Sequence, residues 1–106
     1  MSNTSMTGKP SVDRPWMKYY PEPLRKIQIP QCTVKEYLKR NCPGEDVAAM
    51  EFYGTEISWK TVFEQSEAVA RSLKALGFKK GDQIPVFLSL VPEFFYILLG
   101  AEQIGA

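Results

Sequence analysis

From residue 59 onward the apolar positions follow three successive patterns. Trp59, Val62, Phe63, Val69, Ala70, Leu73 and Leu76 recur at intervals of three and four, with Lys60, Glu64, Gln65, Glu67, Arg71 and Lys74 between them. This predicts an amphipathic helix over 59–76, with one face dry and one wet. Ser58 is placed to cap its first turn. Gly77 suits the left-handed position after its last turn, with Phe78 folding back on Leu73. The run Ile84–Leu90 is then apolar almost throughout, as in a strand covered on both faces. Pro92-Glu93 opens a second helix, because proline lacks only a donor that the first turn leaves unpaired. Phe94, Phe95, Ile97, Leu98, Leu99 and Ile104 surround that helix on nearly every side. Such a helix needs more protein around it than 106 residues supply.

Earlier in the chain the signals are shorter. Thr33-x-x-Glu36 matches a reciprocal capping box and starts a helix that ends at Asn41–Gly44, with Val34, Tyr37 and Leu38 as its apolar face. Residues 47–53 read as a strand, and Gly54-Thr55 turns it so that residues 56–58 pair back. Strand, helix and strand in this order predict a right-handed crossover. The expected fold is therefore α/β, a partial βαβ unit with a mostly parallel sheet. The chain stops where a further strand is expected, so it reads as the front of a larger enzyme. Residues 1–14 are expected to be a flexible tail. Residues 15–32 form a leader of prolines and aromatics, including Trp16, Tyr19 and Tyr20, packed on the domain. Residues 33–106 form the incomplete α/β subdomain.

Composition narrows the function classes. A formal net charge of +1 gives no general attraction to nucleic acid. The basic residues do gather early: Arg14, Lys18, Arg25, Lys26, Lys35, Lys39 and Arg40 face only Glu22 and Glu36 between residues 14 and 40. That stretch reads first as a solvated surface and second as a face for phosphate or anionic lipid. Two cysteines, Cys32 and Cys42, with no apolar signal-peptide core, fit free thiols in a reducing cytoplasm. Residues 84–106 are interrupted by Pro85, Pro92, Glu93, Glu102 and Gln103, short of the roughly 18 apolar residues that span a bilayer.

The chemistry-bearing patterns are few. The chain has no histidine, so no histidine general base, triad or histidine metal site can be built from it. Neither a GxxxxGK[ST] phosphate loop nor a GxGxxG fingerprint occurs. Lys79-Lys80-Gly81-Asp82 reads as an exposed turn before it reads as a phosphate contact. Glu45, Asp46 and Glu56 lack an arrangement that would split their pKa values into acid and base roles. Cys32, just ahead of a helix, has no base to make it a nucleophile. No residue of this chain is assigned a catalytic, cofactor-binding or metal-binding role.

Ile57-Ser58-Trp59 and its helix, the run Val69–Ile84, Pro92-Glu93-Phe94, Leu99-Gly100-Ala101 and Ile104-Gly105-Ala106 occur in an order and spacing that resemble the N-terminal region of the AMP-forming adenylating enzymes. These include acyl-CoA synthetases, luciferases and peptide-synthetase adenylation domains. Pro15-Trp16 and Tyr19-Tyr20-Pro21 are similar to the leader of the fatty-acyl-CoA ligase branch. Leu90 departs from the pattern, since many relatives place Asn there. The resemblance implies a parent ligase that uses ATP and Mg2+ to activate a carboxylic acid, with the leader pointing to a fatty acid, as an acyl-adenylate and passes it to coenzyme A. Its phosphate loop, nucleotide motifs and C-terminal lysine do not occur in this chain. The segment is then scaffold, inert alone, with the remainder of the parent polypeptide as its partner. The alternative is a small non-catalytic interaction or structural protein that associates, with itself or a partner, through its apolar C-terminal helix.

Overall fold

The computed structural model describes residues 5–106, so the first four residues of the expected tail lie outside it. The chain divides into two compact units, Met1–Pro30 and Gln31–Ala106. The described part of the first unit consists of short helical pieces, each with proline in its opening turn. These are α1 (Pro10–Asp13), a 3-10 turn (Pro15–Tyr19) and α2 (Glu22–Arg25). Proline is accommodated there because the missing N–H would have no intrahelical acceptor. Arg25 ties the pieces together: its guanidinium donates to the carbonyls of Tyr20 at 2.8 Å and Lys18 at 3.1 Å.

The second unit begins with α3 (Val34–Asn41), and its capping box is formed. Thr33 Oγ1 accepts from the Glu36 N–H at 3.2 Å, and Glu36 Oε2 accepts from the Thr33 N–H at 3.0 Å. β1 (Ala48–Phe52) and β2 (Thr55–Ser58) follow as an antiparallel hairpin, with Phe52 opposite Thr55. The two turn residues, Tyr53 and Gly54, both have positive φ, 49° and 80°. That geometry matches the twist of a two-residue hairpin. Ser58 Oγ accepts from the Thr61 N–H at 3.2 Å and so caps α4 (Trp59–Ala75). At the other end Gly77 takes φ 95°, its N–H donates to Lys74 O at 3.0 Å, and the Phe78 N–H donates to Leu73 O at 3.1 Å. This paired closure satisfies carbonyls that the helix leaves open. The last helix, α5 (Pro92–Ile104), starts without a side-chain cap at Val91 and stops at Gly105.

The core lies between α4 and α5. Val62, Phe63 and Ala70 on α4 and Leu99 on α5 are all buried, and the two helices pack together. Burying each of the larger side chains stabilises the fold by about 1.5–3 kcal/mol. The close approach depends on small residues. Ser66 is 0% exposed and returns its hydroxyl to Phe63 O at 2.8 Å, so it leaves no polar atom unpaired. Gly100 faces it: a Cβ there would lie 2.8 Å from Ser66 O and 2.8 Å from Val69 Cγ1.

Three expectations are corrected. The mostly parallel sheet and the βαβ crossover do not form; among the described residues the sheet is the antiparallel β1–β2 pair. Residues 84–90 are not a paired strand, because no N–H from Gln83 to Leu90 donates to a backbone acceptor among the described residues. An apolar run favours burial of side chains but does not by itself supply a pairing partner; a ladder requires a neighbouring strand, and among the described residues none lies beside this one. In α3, Val34 and Tyr37 are exposed, and the buried residue is Lys35 at 7% exposure.

Candidate functional site

Polar side chains from three helices converge on a cleft of about 250 Å³. The capping box starts α3 so that Lys35, in its first turn, points inward, and Lys39 follows one turn later. Glu67 reaches the cleft from α4 and Gln103 from α5. Lys35 Nζ donates to Gln103 Oε1 at 2.6 Å. Lys35 and Lys39 both lie 3.5 Å from one oxygen, Glu67 Oε1. Burial pushes the Lys35 pKa below the usual lysine value, and the Glu67 charge offsets this only in part. The Lys35 ammonium in turn holds the Glu67 carboxyl below its ordinary value. Beside the cleft, the Glu102 carboxylate accepts from the Val34 N–H at 2.7 Å and the Lys35 N–H at 3.2 Å. It therefore sits at the positive end of α3, where an anion is stabilised.

This arrangement joins helices and leaves little for a ligand. Lys35 and Lys39 are balanced by Glu36 and Glu67, and Glu36 is engaged in the capping box. The cleft carries no net charge to draw a phosphate. Among the described residues, no group of three or more His, Cys, Asp or Glu could hold a metal ion. With its lysines engaged by Glu67 and Gln103, the residues of this cleft do not fit ATP, Mg2+ or coenzyme A.

A second cleft, about 360 Å³, runs along α5. Ile84, Val86, Ile97, Leu98 and Ala101 line it, and its one acidic residue is Glu102, already bound to α3. It offers apolar surface and no free acid, base or nucleophile. In the Lys79–Asp82 turn, Asp82 Oδ2 accepts from the Lys79 N–H at 2.8 Å, so the chain's own carboxylate fills the anion position. Cys32 and Cys42 are free thiols. Among the described residues, no helix is long and apolar enough to cross a membrane.

The inward lysine was not evident in the sequence, where Lys35 belonged to a basic stretch and Glu67 to the wet face of its helix. Glu102 and Gln103 registered only as interruptions of an apolar run. The available signal was spacing: Lys35 and Leu38 share one side of α3, and Leu38 is half-buried.

A family model described as AMP-binding enzyme matches residues 38–106. The acetyl-coenzyme A synthetase of Brucella canis is 35% identical over 111 aligned residues, which cover 100% of this chain and 16% of the relative. That of Rhizobium rhizogenes is 28% identical over 111 residues, with the same coverage of 100% and 16%. The acetyl-coenzyme A synthetase of Halorhodospira halophila is 38% identical over 50 residues, 47% of this chain and 8% of the relative. The chain thus spans about 16% of the length of most of these relatives. No solved structure matches it. With the family model matched from residue 38 to residue 106, this chain belongs to the AMP-binding enzyme family.

Proposed function

We propose that this chain is scaffold within a larger AMP-forming ligase. That ligase activates a carboxylic acid with ATP and Mg2+ as an acyl-adenylate, releases pyrophosphate, and transfers the acyl group to coenzyme A. The single observation that carries the reading is the family match over residues 38–106. In that reading the segment has a structural role, inactive by itself, with the remainder of the ligase as partner. The acyl group is open between two lengths. The Pro15–Pro21 leader favours a fatty acid and hence fatty-acid metabolism, whereas the relatives' names favour acetate. The free thiols and the acyl-CoA chemistry favour a cytoplasmic enzyme.

The test is carboxylate-dependent ATP–pyrophosphate exchange by the intact protein that contains this segment. Acetate, octanoate and palmitate are compared, with AMP release on adding coenzyme A as the second readout. Exchange with one of the acids supports the reading and selects the acyl length. An intact protein that forms no adenylate with any of them refutes it. A second reading, a small non-catalytic association module, is favoured by the exposure of Leu98 on α5, at 51%. It predicts a stable complex without nucleotide turnover.

A further inference from the structure

We draw no further inference here: the strongest candidate, the polar clasp by which Lys35, Glu67, Glu102 and Gln103 seat α3 on α4 and α5, belongs to the site already described, and nothing in the structure shows what covers the outer side of α3, on which any release of that helix would depend.

Discussion

Replacing Gly100 by alanine tests the helix contact on which the second unit rests. The new Cβ would lie 2.8 Å from Ser66 O, 2.8 Å from Val69 Cγ1 and 2.9 Å from Val69 Cβ. Two effects oppose each other. Alanine in a helix interior is favoured over glycine by about 0.5–1 kcal/mol. Forcing an extra methyl into a filled contact costs about 1–3 kcal/mol. The obstacle includes a backbone oxygen inside α4, which cannot rotate away, and a valine with little χ1 freedom. The steric effect therefore wins, and Gly100→Ala should be destabilised by about 1–2 kcal/mol. Urea denaturation followed by circular dichroism measures this directly, and each kcal/mol lowers Tm by about 4–8 °C in a unit of this size. The double variant Val69→Ala/Gly100→Ala should lose less than the sum of the single losses, because the smaller side chain makes room. A Gly100→Ala protein as stable as the parent, or more stable, would refute the reasoning, since the steric cost would then not exceed the helix-propensity gain.

Other consequences are equally open to measurement. Lys35→Ala should cost about 1–3 kcal/mol by leaving Gln103 Oε1 without its donor and removing the buried stem, whereas Lys35→Met loses the same donor but keeps the volume and should cost less. Chemical denaturation of the two variants side by side decides this. Because Glu67 has a depressed pKa in the folded chain, its contribution is present above the unfolded value near 4.5 and is lost as pH falls through the folded value. NMR titration of Lys35→Met should find the Glu67 carboxyl back toward its ordinary range, and the acid limb of stability correspondingly flatter. Glu102→Ala should weaken the α3 start by about 0.5–2 kcal/mol, seen as faster hydrogen exchange at the Val34 and Lys35 amides it now holds. Gly77→Ala should cost about 1 kcal/mol by thermal unfolding, because its φ of 95° is strained once a Cβ is present.

Local features were legible because their causes are local. The Thr33–Glu36 box, the Ser58 cap and the Leu73–Phe78 closure each satisfy backbone groups within a few residues, so a short stretch contains both donor and acceptor. The polar cleft was not legible. Lys35 and Gln103 are 68 residues apart, and nothing in either neighbourhood says that the ammonium of one will meet the amide oxygen of the other.

Sequence alone therefore determined where the helices of the second unit begin and end, where the hairpin turns, and that the chain resembles an adenylating enzyme. The tertiary structure decided which face of α3 is inside, how closely α4 and α5 approach at Gly100, and that residues 84–90 run beside α5 without a ladder. The physical reason is the range of the forces involved. Capping and periodicity act within a few residues, while burial, close packing and strand pairing depend on which distant segments share the same space.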